Sequence, residues 1–157
     1  MNGQWAIVSA HRYTYLMQWK WCAVWCESVK GFYAVRNLNP REDGMRGTIS
    51  MHRQILGLKA GDPRKGDHKK PWRTLDNRDS NLRLANRTQQ QQNRRKQKNN
   101  TSGYKGVSWS KGSRKWTARI RVDGKYLYLG LFATAELAYA AYCAAARKYF
   151  GEFACVV

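Results

Sequence analysis

Asp67-His68, followed by Leu75-Asp76-Asn77-Arg78-Asp79-Ser80-Asn81-Leu82, gathers a carboxylate, an imidazole and several carboxamides into one short stretch. These are groups that phosphodiester hydrolysis can use. A neutral histidine can take the proton of an attacking water. A divalent cation held by a carboxylate and a carboxamide can stabilise phosphoryl and leaving-group oxygens. Adjacent side chains on an extended segment point to opposite sides. Asp67 could therefore face a metal while His68 addresses the scissile phosphate, provided the backbone bends there. A lone buried histidine is more often structural, but Asp67, Asn77, Asn81 and the polar stretch after them favour a chemical role for His68. His52, in Met51-His52-Arg53, suits equally a place behind the site and a packed, hydrogen-bonded role. His11 reads as structural or exposed. No Ser or Cys sits in a comparable constellation for nucleophilic catalysis.

The surroundings are strongly basic: 29 Lys plus Arg against 10 Asp plus Glu give a formal charge of +19 over 157 residues. Such an imbalance costs self-repulsion in a compact state, and a polyanionic partner is a common reason to tolerate it. Asp and Glu are absent from Asn81 to Val122, where Arg83, Arg87, Arg94, Arg95, Lys96, Lys98, Lys105, Lys111, Arg114, Lys115, Arg119 and Arg121 accumulate. A solubilising face or a disordered tail would look similar, but aromatic residues interleave with the charge. A membrane surface is disfavoured as the partner, since no basic amphipathic helix stands out and no run approaches a membrane span. The four cysteines include one close pair, Cys22 and Cys26, without a second pair or nearby histidines, which argues against structural zinc. The first fifteen residues lack a basic-then-apolar leader layout. The expectation is a reducing, cytoplasmic setting with free, mostly buried thiols.

The elements that must position these groups follow from pattern. Alternation over Trp19 to Trp25 suggests a strand, with Phe32-Tyr33-Ala34-Val35 as its partner. Pro40 to Gly44 reads as a polar turn, and Gly47 to Leu56 as a strand end or a short helix. Leu82 to Ala85 can form a short strand. Asn86 to Asn100 is helix-tolerant, with Asn86 or Thr88 as its cap and low-complexity disorder as the alternative for its last part. Asn99 to Gly103 reads as a linker between a domain at 1–98 and another at 104–157. Beyond it, Val107 to Trp109, Trp116 to Val122 and Lys125 to Leu129 read as strands around an Asp123-Gly124 hairpin turn. Thr134 can cap a closing helix with apolar positions Leu137, Ala138, Ala141, Ala144, Ala145 and Tyr149. The expected class is α+β.

Asp67-His68 with Leu75 to Arg83 resembles the core of HNH homing endonucleases of phages and bacteria. Trp19-Lys20-Trp21, Tyr33-Ala34-Val35-Arg36, Met51-His52-Arg53 and Ile55-Leu56-Gly57 are similar to the region leading into that core. The resemblance spans most of Thr14 to Asn100. It implies a ββα-metal fold using Mg2+ or Mn2+, with His68 as general base, Asp67 as metal ligand, and Asn81 stabilising the hairpin and orienting His68. His52 and Asn77 would stand behind them. The helix ligand of relatives, an Asn or His, falls nearest Gln90 here, with Asn93 as the alternative. The loop Lys69 to Thr74 departs from the relatives' Gly-rich, Asn/Asp-containing form.

Ser102 to Ala154 resembles the ethylene-response-factor (Apetala) DNA-binding domain of plants, through Tyr104-Lys105-Gly106-Val107, Trp116 to Arg121, Tyr128-Leu129-Gly130, Phe132 and the alanine-rich helix. That likeness implies a three-stranded antiparallel sheet in the DNA major groove, backed by one helix. A ribbon of strands fits that groove, and alternate arginines can reach base edges while others grip phosphates. Candidate contacts are Lys105, Arg119, Arg121, Tyr128 and Trp109, with Lys111, Arg114, Lys115 and Lys125 for phosphates; Trp116, Leu129 and Phe132 are expected in the core. Ser108, Ser110 and Arg119 differ from the plant pattern of Arg, Arg and Glu. The favoured expectation is a metal-dependent endonuclease acting on duplex DNA, monomeric or weakly dimeric, in a bacterial cytoplasm if phage-encoded. A DNA-binding regulator with a degenerate nuclease half, and a structured-RNA binder or ribonuclease, are the alternatives.

Overall fold

The computed structural model describes residues 3–39, 47–59, 61–97 and 99–156. The turn expected at Pro40 to Gly44, and Lys98 of the basic segment, lie outside them. The chain is α+β and divides into two compact units, Met1–Gln90 and Gln91–Val157.

The first unit contains, in order, β1 (Ile7–Val8), α1 (Tyr13–Leu16), β2 (Cys22–Cys26), β3 (Gly31–Asn37), β4 (Thr48–Ser50), α2 (Met51–Ile55), β5 (Lys65–His68), β6 (Asp76–Asn77), β7 (Leu82–Ala85) and α3 (Arg87–Gln92). The aromatic alternation yields β2 and β3 as an antiparallel pair, with Ala23 opposite Ala34, and β4 joins the other edge of β3. Gly47 to Leu56 thus supplies both alternatives read from it, a strand followed at once by a short helix. Leu16, Trp21, Ala34, Met51, Ile55 and Leu82 form the buried core. The buried Trp21 indole donates to the Leu16 carbonyl at 2.8 Å, so a large apolar ring is buried without orphaning its N–H. Near the start of the unit, β1 runs parallel to β6, and Asp79 accepts from Arg12 at 3.0 Å.

β5 and β7 pair antiparallel, with Asp67 opposite Arg83 and His68 opposite Leu82, and α3 follows: a β–β–α sequence of elements. The helix starts on a reciprocal cap, Asn86 Oδ1 accepting from the Gln89 N–H and Gln89 Oε1 accepting from the Asn86 N–H, each at 2.8 Å. It ends at Gln92, well short of Asn100. The Lys105 ammonium explains the stop. It donates to the carbonyls of Gln92 and Arg94 at 2.7 Å each, taking acceptors that further helical turns would use.

In the second unit β8 (Val107–Ser110), β9 (Lys115–Val122) and β10 (Lys125–Phe132) form an antiparallel sheet in the order β10-β9-β8, followed by α4 (Ala135–Phe150). Asp123 and Gly124 both have positive φ, 48° and 81°, as a primed two-residue hairpin requires. Thr134 caps α4, its side chain accepting from the Leu137 N–H at 3.3 Å. The buried face of α4 carries Ala135, Ala138, Tyr142, Cys143, Ala145, Ala146 and Phe150. Leu137, Ala144 and Tyr149, expected inside, are exposed. With so many alanines the helix offers little apolar contrast, and the large Tyr142 and Phe150 rings decide which face turns inward. Asn99 to Gly103, expected as a linker, belongs to the second unit. There Ser102 Oγ donates to Val107 O at 2.8 Å and Asn100 Nδ2 to Tyr104 O at 2.8 Å. The four cysteines form no disulfide; Cys143 and Cys155 are buried, while Cys22 is exposed, contrary to expectation.

Gly106 is where the second unit has least room. Its φ is +75°, and a Cβ there would lie 2.2 Å from the Tyr142 ring and 2.7 Å from the Arg119 carbonyl. Gly106→Ala is expected to destabilise this unit by at least about 1–3 kcal/mol from backbone strain alone, before any cost of displacing Tyr142. Thermal unfolding of the variant checks this, and an unchanged midpoint would contradict it.

Candidate functional site

His68 is the last residue of β5 and is 4% exposed. Its ring lies among others: the His52 ring centroid is 4.9 Å away and that of Tyr33 is 5.9 Å away. Gly66 makes this approach possible, since a Cβ there would meet His52 Cδ2 at 2.6 Å. His68 Nε2 is 3.2 Å from Asn77 Oδ1. The Asn77 amide is itself oriented, because Nδ2 donates to the Leu75 carbonyl at 3.2 Å. Oδ1 therefore faces the ring as an acceptor, which places the proton of neutral His68 on Nε2 and the lone pair on Nδ1. Burial lowers the His68 pKa, with Asn77 and the Asp67 and Asp76 charges pulling the other way. Burial, helped by His68 and Arg53, pushes His52 down to about 3. Both rings are neutral at pH 7. Tyr33 is raised to about 12 by burial and keeps its proton.

Asn81, 5% exposed, closes the loop between β5 and β7. Its main-chain carbonyl accepts from the Lys69 N–H at 2.7 Å and its Oδ1 from the Lys70 N–H at 3.1 Å. Its Nδ2 donates to the Asp76 carbonyl at 2.8 Å. Asn81 thus stabilises the hairpin, while Asn77, read from sequence only as a residue behind the site, is hydrogen-bonded to the His68 ring. His52 lies against the His68 ring, with Ser50 Oγ 3.4 Å from its Nε2.

Asp67 behaves differently. The antiparallel register sets it opposite Arg83, whose Nε donates to Asp67 Oδ2 at 2.9 Å, with both side chains largely buried. β5 is regular here, so Asp67 faces Arg83 while Gly66 and His68 face His52. Nothing in the sequence pattern flagged Arg83 as this partner; the strand pairing creates it. Gln90 Nε2 donates to the Gly66 carbonyl at 3.3 Å, which sets its carboxamide beside the strand that carries Asp67. Asn93 lies past the end of α3, in the second unit, and is buried. Gln90 is a helix carboxamide that contacts β5. Asp67 and Gln90 are hard oxygen donors, and Mg2+ is ordinarily held by one or two protein groups, with waters and substrate phosphate completing its shell. The donor chemistry fits such a cation. Among the described residues, no three His, Cys, Asp or Glu side chains gather as an all-protein metal site.

The second unit presents a charged face. Along β9 Arg119 and Arg121 are exposed between buried Ala118 and Ile120. Directly across on β10 stand Tyr128 and Tyr126 respectively, both exposed. The Arg121 guanidinium lies 5.6 Å from the Tyr126 ring centre, and its Nε donates to the Gly124 carbonyl at 3.2 Å. Lys111, Arg114, Lys115 and Lys125 are exposed around the turns and strand ends. Two expected contacts lie elsewhere. Lys105 folds inward onto main-chain carbonyls, and burial lowers its pKa. Trp109 pairs across from Trp116, edge to face at 5.2 Å, on the strand side shared with Val107 and Ala118 rather than with Arg119. Tyr126 is the exposed aromatic that sequence reading passed over; its place two residues before Tyr128 was the available signal. Among the described residues, no helix is long and apolar enough to cross a membrane. No protein family, curated protein or solved structure matches the chain.

The buried histidines set a pH dependence. An unfolded histidine titrates near 6.5, while folded His52 does so at about 3 and His68 is also lowered. Between those values the unfolded chain binds more protons, so stability is full above pH 6.5 and falls as pH drops towards 3. Urea midpoints are expected to decline from pH 7 to pH 4.5, above the usual carboxylate range, and a flat profile over that window would contradict the assignment.

Proposed function

We propose that this protein is a metal-dependent endonuclease that hydrolyses phosphodiesters of duplex DNA through His68, with the basic sheet of its second unit selecting or holding the target. One observation carries the reading: a neutral, buried imidazole whose orientation is fixed by Asn77, on the first strand of a β–β–α unit, with a carboxylate next to it in sequence. The adjacent acid, in a chain of charge +19 with 10 Asp and Glu in all, adds to that reading.

In this mechanism the neutral ring accepts a proton from water as the water oxygen attacks phosphorus. The P–O bond to the leaving sugar oxygen breaks, that oxygen takes a proton from solvent water, and the imidazolium later returns its own proton to solvent. Asn77 keeps the protonated imidazolium oriented by continuing to accept from Nε2. Asp67 and Gln90 would hold Mg2+ or Mn2+, which when bound supplies charge stabilisation at the phosphoryl oxygens. Tyr33 and His52 exclude water from the back of the His68 ring. On the second unit, Arg119, Arg121, Tyr126 and Tyr128 form the group reaching for base edges, and Lys111, Arg114, Lys115 and Lys125 serve phosphates.

The Arg83–Asp67 pair favours a second reading, a DNA-binding protein whose nuclease half is disabled. A guanidinium already neutralises the carboxylate that a cation would need, and Asp67 and His68 face opposite sides of β5. Supercoiled plasmids carrying candidate targets, incubated with Mg2+, Mn2+ or chelator, separate the two. Metal-dependent nicking is expected, with His68→Ala lowering the rate about 10²–10⁴-fold while affinity is preserved. Binding without cutting by the wild type would favour the disabled reading, and parallel loss of binding and cutting in the variant would remove His68 from the chemistry. For the sheet, Arg121→Ala should weaken preferred-sequence binding by about 1–3 kcal/mol relative to random duplex in salt-matched competition. Unchanged sequence preference would show that Arg121 reads no base.

A further inference from the structure

The loop after His68 reads Lys69-Lys70-Pro71-Trp72-Arg73-Thr74 and has no part in the chemistry described above. It is a built structure. The Arg73 N–H donates to the Lys70 carbonyl at 2.9 Å, closing a turn with Pro71 at its first corner and Trp72 at its second. Both ends are tied to Asn81, through the Lys70 N–H at 3.1 Å and the Arg73 carbonyl at 3.5 Å. Trp72 is thereby held outward by a turn of preset shape, 44% exposed.

Beside it lies a cleft of about 360 Å³, lined by Ile7, Phe32, Trp72, Arg73, Thr74 and Leu75 among others. That volume is within the range of small-ligand sites, roughly 300–1,000 Å³. Its back is fixed: Thr74 Oγ1 donates to the Phe32 carbonyl at 2.6 Å, and the Trp25 ring braces Phe32 edge-on at 5.0 Å. The carboxylate that lines it, Asp76, is neutralised by Arg78 at 2.7 and 2.8 Å. Arg73 lines the cleft, and the exposed Lys69 and Lys70 precede Trp72 in the same loop. Solitary exposed tryptophans are ordinary on protein surfaces. A tryptophan on a locked turn, flanked by cations and opening onto an aromatic cleft, is the arrangement by which proteins stack nucleobases while gripping the adjoining phosphates.

We infer that this cleft receives one unstacked base of the bound DNA strand, with Trp72 as its stacking platform and Lys69, Lys70 and Arg73 on the neighbouring phosphates. Trp72 is four residues from His68, so their Cα atoms are at most about 14 Å apart. The base taken up therefore belongs to the stretch of strand around the phosphate at His68. The inference rests on the DNA reading above but not on cleavage.

The test uses the full chain, chelator to prevent cutting, and two short duplexes identical except for one extrahelical base. An unpaired base has already lost its pairing, so it costs less to extrude. The wild type should bind the bulged duplex more tightly than the perfect one. Trp72→Ala should lose that preference, weakening bulged-duplex binding by about 5- to 150-fold, the range of one base–aromatic stack, while Trp72→Phe retains much of it. Arg73→Gln should weaken both duplexes alike and flatten the salt dependence. Equal binding of the two duplexes by the wild type, or a preference that survives in Trp72→Ala with an unchanged melting temperature, overturns the cleft assignment and leaves the nuclease reading intact. Binding to neither duplex at low salt overturns both. A base preference that depends on Trp72, in a protein that never cuts, supports the cleft and removes the nuclease.

Discussion

The buried carboxamide of Asn81 sets the geometry on which the first unit depends. Between the two strands of the β5–β7 hairpin runs a loop that must carry Trp72 outward and Asn77 inward, and a loop of that length has no regular ladder to hold it. Asn81 supplies three of the missing bonds, accepting from Lys69 and Lys70 and donating to Asp76. Buried polar groups are retained when fully satisfied, and here the satisfaction is what closes the hairpin. The consequence reaches His68. Asn77 can orient the imidazole because the turn before Asn81 returns β6 to the ring, and β6 is in turn fixed by its pairing with β1.

The Asp67–Arg83 pair is the second constraint, and it opposes the first in function. Largely buried ion pairs gain little net stability, because desolvation offsets attraction, while loss of one partner is costly. The pair is therefore held inside the unit at little net gain in stability. A divalent cation brought to the same carboxylate meets a fixed positive charge. On the proposed reading, the anionic phosphate of the substrate compensates that charge, so metal and DNA should bind with positive coupling rather than independently. A site of this kind would be weak without its substrate, which is a sensible property for an enzyme whose reaction is hazardous when unguided.

Much of the fold was legible from the sequence, for identifiable reasons. The runs read as strands at 19–25, 32–35, 116–122 and 125–129 overlap the observed strands at 22–26, 31–37, 115–122 and 125–132, the Asp123-Gly124 turn carries its structure locally, and Thr134 marks its helix start unaided. What escaped was set by distant partners. The length of α3 is decided by Lys105, thirteen residues beyond Gln92, which no helix propensity encodes. The inward face of α4 is decided by Tyr142 against Gly106, since alanines alone do not choose a side. For the site, His68, Asp67 and Asn81 were visible as residue types in a cluster. The hydrogen bond of Asn77 to His68, the Arg83 pair and the retreat of Trp109 to the other strand side follow from how the strands pair, which sequence spacing leaves open.

Charge of this size also constrains how selectivity can arise. On the DNA reading, the many exposed lysines and arginines bind phosphates of any sequence, with an affinity that falls steeply as salt rises. Adding cations strengthens every complex and discriminates among none. Discrimination needs groups held in fixed directions, because the entropy of ordering a long side chain otherwise consumes the gain. Arg121 is such a group: its guanidinium is held between the Gly124 carbonyl and the Tyr126 ring before any ligand arrives. At Trp72 it is the backbone that a hydrogen-bonded turn through Pro71 sets in place. On that reading the bulk charge would concentrate the polyanion, and the choice of where to act would fall to the few side chains whose freedom the fold has already reduced.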